Sequence, residues 1–179
     1  RGMRAEEQTL SGARWRAAVL GTVVVALAVR VLYLLQVRDH PLFSTLTGDP
    51  ALYHAQALDI LSGSPVPQHA YFHSSPLYPW FVALVMSVSE SLDAVRIAQI
   101  GVGVLTVFLL IQLGQRAFSR MAAIAAGVFA ALYVPFIFFE AEFLEITLVM
   151  AFVTAMLVLL MDTAERLESS EQKEPGSGA

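Results

Sequence analysis

Long apolar stretches separated by short polar ones dominate the chain. A membrane-spanning helix needs about 20 mostly apolar residues. Four stretches reach or approach this length: 17–36, 94–113, 121–138 and 143–161. The apolar segment 77–88 is shorter, begins after Pro76 and contains Pro79, which is typical of a helix lying at the membrane surface. The pattern therefore predicts an all-α, polytopic membrane protein with four transmembrane helices.

The distribution of arginine predicts which side of the membrane each loop occupies. If segment 77–88 does not cross, the N-terminal tail 1–16 and the loop holding Arg116 and Arg120 lie on one side, which the positive-inside rule assigns to the cytoplasm. Loop 37–93, with five acidic residues, then lies outside. We therefore expect cytoplasmic N- and C-termini, a transmembrane module over 17–161, and an acidic, flexible tail over 162–179.

The outer loop is predicted to contain two juxtamembrane helices, over about 50–62 and 77–88. In the first, Asp49 is expected to be the N-cap residue and Pro50 the first helical residue, with Gly63 ending the helix. Its apolar positions fall on one face, which is typical of a helix lying along a membrane. Asp49 can be a cap alone, or a rigidly held general base as well.

Composition excludes several classes of function. Hydrophobic residues make up 56% of the chain and charged residues 15%, below the share usual in soluble domains. The absence of cysteine excludes disulfides and thiolate chemistry. The net charge is −4 and no basic patch or nucleic-acid motif is present, so nucleic acid is not an expected partner, whereas the lipid bilayer is.

Other candidate site residues cluster near the predicted outer surface. All four histidines, His40, His54, His69 and His73, lie in the outer loop. They could bind a divalent cation together with Asp39 or Asp49, but their irregular spacing matches no zinc motif, and histidine is also common at interfaces. Tyr53 and His54 follow Asp49 by about one turn and could line the same site. Tyr78, in the run from Pro76 to Trp80, is either part of an aromatic anchor or the floor of a lipid groove.

Charged residues at the predicted outer ends of the spans form a second group. Glu140 and Glu142 are expected at the surface, whereas Glu145 lies nearer the hydrocarbon, where burial is costly. These acids can complement the dipole of the fourth span or form a second acidic site facing Asp49. Arg30 and Arg96 can extend to the interface or bind a lipid-linked phosphate.

Several short motifs in residues 14–161 together resemble a known family. They lie at 28–33, 48–53, 75–79, 94–99, 114–118 and 133–140. Their order and spacing resemble the N-terminal module of the GT-C membrane glycosyltransferases, especially bacterial enzymes of the protein O-mannosyltransferase and aminoarabinose-transferase group. The resemblance implies a polyprenyl-phosphate sugar as donor, Asp49 as general base or as the group that orients the acceptor, Glu140 or Glu142 as a second acidic position, and in some members a divalent cation. It also implies a bacterial inner membrane location.

Two functions follow from the resemblance. The first is transfer of a sugar from a polyprenyl-phosphate donor to an acceptor on the outer face, with Arg30 or Arg96 steadying the phosphate. Family enzymes have more spans than the four predicted here, so the second is a non-catalytic subunit that packs against partner membrane subunits. The 179 residues alone are not expected to be active. A transporter fragment has little support, because no predicted span is interrupted near its centre.

Overall fold

The computed structural model describes residues 12–64 and 75–171, which form α-helices joined by short turns. In chain order the helices are α1 (Gly12–Val37), α2 (Pro41–Ser44), α3 (Asp49–Leu61), α4 (Leu77–Met86), α5 (Leu92–Ala117), α6 (Arg120–Leu132), α7 (Val134–Ala141) and α8 (Ile146–Glu171). No strand occurs in these two ranges. The predicted all-α class is therefore confirmed for the described residues.

Three of the helices are long and apolar enough to cross a membrane: α1, α5 and α8. Helices α6 and α7 together make a fourth apolar element, which is bent by 49° at Tyr133. The prediction of an uninterrupted span over 121–138 is wrong. Pro135 has no N–H group to donate to the carbonyl of Ala131, as a continuous helix would require, and Tyr133 has an extended backbone with ψ of 104°.

Helix α5 is the centre of the bundle. It packs against α1, α4, α6, α7 and α8, and 44% of its most apolar stretch is buried, compared with 22% for α1 and 17% for α8. Small residues allow α6 to approach α5 closely: Gly114 lies against Ala123, and Gly127 lies against Ile111. Small side chains at such positions let two membrane helices approach closely.

The two short helices of the predicted outer loop, α3 and α4, pack against each other, and α4 also packs against α5. Helix α4 has ten residues, so it is about 15 Å long and too short to cross a bilayer. Helix α3 buries Tyr53, Gln56 and Ala57, whereas Leu58 and Leu61 of the predicted membrane-facing side stay exposed. The side chains that fix α3 to the bundle are thus not those of the predicted apolar face.

The structure corrects two predicted helix ends. Gly48, with φ of +63°, is the N-cap residue of α3, so Asp49 is the first helical residue and Pro50 the second. Gly63, with φ of +97°, follows the end of the helix as predicted. Helix α8 continues to Glu171, so the flexible tail expected from residue 162 is helical for its first ten residues. An ion pair between Arg166 and Asp162, one turn apart, supports this extension.

Candidate functional site at the loop end of the bundle

One end of the bundle carries residues 38–64 and 75–91 and the turn 142–145, and we call it the loop end. A series of side-chain contacts joins the two. Tyr53 of α3 meets Tyr78 of α4 edge to face, with ring centroids 4.8 Å apart. The Tyr78 hydroxyl donates to Gln99 Oε1 at 3.1 Å, and Gln99 Nε2 donates to the Glu142 carbonyl at 2.9 Å. Helix α3 is therefore held against the bundle by packed and hydrogen-bonded groups.

Asp49 stands at the exposed start of α3, one turn before the anchored Tyr53. Its carboxylate forms no ion pair or hydrogen bond with the residues that the structure describes. The first turn of a helix is a favourable place for a carboxylate, because its N–H groups lack intrahelical partners. Asp49 thus combines a fixed backbone position with a carboxylate that is open to solvent, as a base that receives a proton from a substrate requires.

Arg96 fastens three segments of the loop end together. Its Nε donates to the Ala141 carbonyl at 3.1 Å, Nη2 to the Phe43 carbonyl at 2.6 Å, and Nη1 to Asp93 Oδ1 at 3.1 Å. The guanidinium also lies over the rings of Phe43 and Phe143, at 5.3 and 5.6 Å from the ring centres. Only 4% of Arg96 is exposed, so its charge is used within the protein.

Arg30 and Glu140 form an ion pair buried between α1 and α7. Arg30 Nε donates to Glu140 Oε2, and Nη2 donates to Oε1 at 3.0 Å, which makes the contact bidentate. Arg30 Nη1 also donates to the carbonyls of Ala26 and Ala131, at 3.1 and 3.2 Å. A glycine is required beside the pair, because a Cβ at Gly103 would collide with the Glu140 carboxylate. Gly101, by contrast, has open space where a Cβ would lie.

The prediction that Glu140 lies at the surface is wrong. The bend at Tyr133 turns α7 so that Ile137, Glu140 and Ala141 face the bundle, and only 5% of Glu140 is exposed. An unpaired carboxylate would be expensive to bury there, and Arg30 supplies the compensating charge.

Glu142 and Glu145 occupy the turn between α7 and α8. Glu142 ends α7 and is half-buried. Burial raises the pKa of the Glu142 carboxyl above its usual value, and the nearby Arg96 cation partly offsets this rise. Glu145 has one carboxylate oxygen that is buried with no hydrogen-bond partner among the described residues.

The predicted site residues thus separate into two groups. Arg30, Tyr53, Tyr78, Arg96 and Glu140 are buried and bind other parts of the protein. The other three are accessible: Asp49 is exposed, and His54 and Glu142 are half-buried. Both guanidiniums are buried and donate to protein acceptors, so neither is exposed to a phosphate in this structure.

The two described histidines are not part of a metal-binding cluster. His40 and His54 are described, whereas His69 and His73 lie outside the described residues. Within 12–64 and 75–171, no three histidine, aspartate or glutamate side chains converge on a point.

Gln99 has a structural role that was not predicted from the sequence. It is fully buried and joins α4 to the turn after α7. The sequence does contain an indication of this role, because Gln99 is a polar amide within an apolar span, where such a group needs a partner inside the protein.

Comparison with known proteins places the chain in a family. Residues 73–172, more than half of the sequence, match the family model described as dolichyl-phosphate-mannose-protein mannosyltransferase. The chain belongs to this family. The membrane-glycosyltransferase resemblance is thereby confirmed at the level of the superfamily, and the described helices form a glycosyltransferase-like membrane domain. No curated protein and no solved structure matches the chain.

The matched segment covers α4 to α8 and so includes Tyr78, Arg96, Glu140 and Glu142. Arg30 and Asp49 precede it. Arg30 is tied to the matched segment through Glu140, and Asp49 through the Tyr53–Tyr78 contact.

Proposed function

We propose that the chain takes part in transferring a sugar from a polyprenyl-phosphate donor to an acceptor hydroxyl at the loop end of the bundle. Family membership supports the glycosyltransferase chemistry. The position of Asp49 supports a specific site for this chemistry. Its carboxylate is exposed at the start of a helix that Tyr53 anchors to the bundle. Asp49 is the proposed general base.

In the proposed reaction, the acceptor hydroxyl oxygen attacks the anomeric carbon of the donor sugar. The new carbon–oxygen bond forms as the bond from that carbon to the phosphate oxygen breaks. Polyprenyl phosphate leaves with the bonding electron pair, and the hydroxyl proton passes to the Asp49 carboxylate. General-base catalysis of this kind contributes a factor of about 10²–10⁴ to a rate.

The buried arginines are proposed to hold the fold in place rather than to bind phosphate. Arg96 is proposed as a positioning residue, because it holds Phe43 near the start of the outer loop and Ala141 at the end of α7. Arg30 holds α7 in its bent position through Glu140. His54 and Glu142 remain the accessible residues proposed to contact the donor or acceptor.

Asp49→Asn in the full-length protein tests this role. The protein is reconstituted in vesicles and supplied with polyprenyl-phosphate mannose and with a membrane fraction as the source of acceptors. Release of polyprenyl phosphate should fall by about 10²-fold or more, because asparagine cannot accept the proton. Asp39→Asn is the matched control, since Asp39 lies in the same loop with an exposed side chain. Its rate should stay within about twofold of the unmodified protein, as expected for a surface change away from the reaction. An Asp49→Asn variant with full activity would exclude Asp49 as the base.

A second function is a membrane subunit without activity of its own. The broad apolar faces of α1 and α8 support it, because less than a quarter of the most apolar stretch of either helix is buried within the described residues, which leaves room for further membrane helices beside the lipid. If the unmodified protein releases no polyprenyl phosphate alone but does so with a partner membrane protein, this second function is the correct one.

A further inference from the structure

A small cavity lies where α5, α7 and α8 meet. The space open to the centre of a water molecule is about 20 Å³, which is sufficient for one water. Three polar side chains line it, Thr106, Glu140 and Thr147. The other side chains that line it are apolar: Phe136, Ile146 and Met150. The cavity is therefore polar on one part of its wall and apolar on the rest of it.

Thr147 has a hydroxyl that needs a partner. The residue is only 5% exposed, and its Oγ1 is buried with no hydrogen bond to any residue that the structure describes. A hydroxyl buried in this way is unfavourable, because it loses its hydrogen bonds to water without replacing them.

The other two polar groups can complete a set of hydrogen bonds. The Thr106 hydroxyl donates to the Val102 carbonyl at 2.9 Å, so its oxygen remains able to accept. Each Glu140 oxygen accepts from Arg30 and keeps a further lone pair. One water donating to Glu140 and Thr106 and accepting from Thr147 would make three hydrogen bonds, the usual number for a buried water.

We propose that this cavity is a binding site for a single water molecule that links the Arg30–Glu140 ion pair to α8. Water fits the site better than a monovalent cation, because Arg30 already balances the charge of Glu140. The bound water gives the first turn of α8 a polar connection to α7, in addition to apolar packing.

Thr147→Val tests this site, because valine has nearly the same shape and no hydroxyl. Thr154→Val is the matched control, since the Thr154 hydroxyl already donates to the Met150 carbonyl at 2.7 Å. A structure of the natural protein that resolves waters should show one within hydrogen-bond distance of Thr147 Oγ1 and Glu140. The Thr147→Val structure should lack it, whereas the Thr154→Val structure should keep it.

Thermal unfolding in sodium chloride and in choline chloride gives an independent readout. With a bound water, Thr147→Val should lower the melting temperature by about 2–4 °C, and the two salts should give equal values. If the hydroxyl is unsatisfied in a dry cavity, the same change raises the melting temperature and overturns the proposal. Stabilisation by sodium over choline would also overturn it in favour of a cation, as would a structure in which Thr147 donates to a backbone carbonyl.

Discussion

The pairing of Arg30 with Glu140 explains how a membrane domain keeps two charged residues in its interior. Burying either charge alone would cost several kcal/mol, and a bidentate contact with further hydrogen bonds is needed to offset it. The structure supplies both, since Arg30 also donates to two backbone carbonyls. We therefore assign these two residues to the architecture rather than to the chemistry.

Glu140→Gln should lower the free energy of unfolding by about 3–5 kcal/mol, because it leaves the Arg30 charge buried without a counter-charge. The measurement is denaturant unfolding in detergent micelles, followed by circular dichroism. Arg166→Gln is the control, since its ion pair with Asp162 is exposed and should be worth at most about 1 kcal/mol. Replacing both partners, with Arg30→Met and Glu140→Leu, should recover much of the loss. Equal stability of Glu140→Gln and the natural protein would contradict this assignment.

Two glycines of α5 provide a matched pair for testing the packing beside Glu140. Gly103→Ala should destabilise the protein by about 1–3 kcal/mol, because the added methyl group collides with the buried carboxylate. Gly101→Ala should be neutral or stabilising, since that position faces open space and alanine favours a helix. Unfolding of the two variants under identical conditions compares them directly. The packing described here is wrong if Gly103→Ala is as stable as Gly101→Ala.

At the scale of the helices, the break at Tyr133 and the buried arginine depend on each other. Pro135 cannot donate to the carbonyl of Ala131, which a continuous helix would satisfy. Arg30 Nη1 donates to this carbonyl instead, at 3.2 Å. The bend thus provides an acceptor for Arg30, and it also directs Glu140 towards the bundle.

Pro135→Ala should straighten this element, because the backbone N–H that alanine restores at this position can donate to the Ala131 carbonyl. Spin labels on cysteines at the exposed positions Ala122 and Phe138 can report the change, since the chain has no cysteine of its own. Their separation should increase towards about 24 Å, the length of about 16 residues in a continuous helix. Pro50→Ala, in α3, should leave the distance unchanged. An unchanged distance in Pro135→Ala would show that packing alone sets the bend.

The positions of most helices could be predicted from apolar runs and from helix-start residues, as α1, α3, α4, α5 and α8 show. The break within 121–138 was missed although Pro135 is a local signal, because the apolar composition continues through it. The helical extension beyond residue 161 was missed because its polar composition resembles that of a linker. There, the ion pair between Asp162 and Arg166, one turn apart, supports a helix that hydropathy does not indicate.

At the scale of the whole molecule, the sequence could not predict which charges pair. Arg30 and Glu140 are separated by 110 residues, and only the bend of α7 brings them together. The partners of Arg96 are also distant in sequence: Phe43 precedes it by 53 residues and Ala141 follows it by 45. Asp49 could be singled out from local sequence because its position depends only on the start of one short helix.

The proposed function requires the loop that carries Asp49 and the turn at Glu142 to lie on one side of the membrane. Contacts from Tyr53 through Tyr78 and Gln99 to the Glu142 carbonyl place both at the same end of the bundle. The positive-inside rule predicts that this end is the outer one.

Labelling of single cysteines in intact cells with a membrane-impermeant maleimide tests this arrangement most directly. Suitable exposed positions are Thr47 and Ser89 at the loop end, and Phe118 and Ser169 at the other end. We predict that Thr47→Cys and Ser89→Cys are labelled, whereas Phe118→Cys and Ser169→Cys are labelled only after the membrane is permeabilised. Labelling of Thr47→Cys and Ser89→Cys from opposite sides would mean that α4 crosses the membrane, and it would contradict both the four-span arrangement and the site built on it.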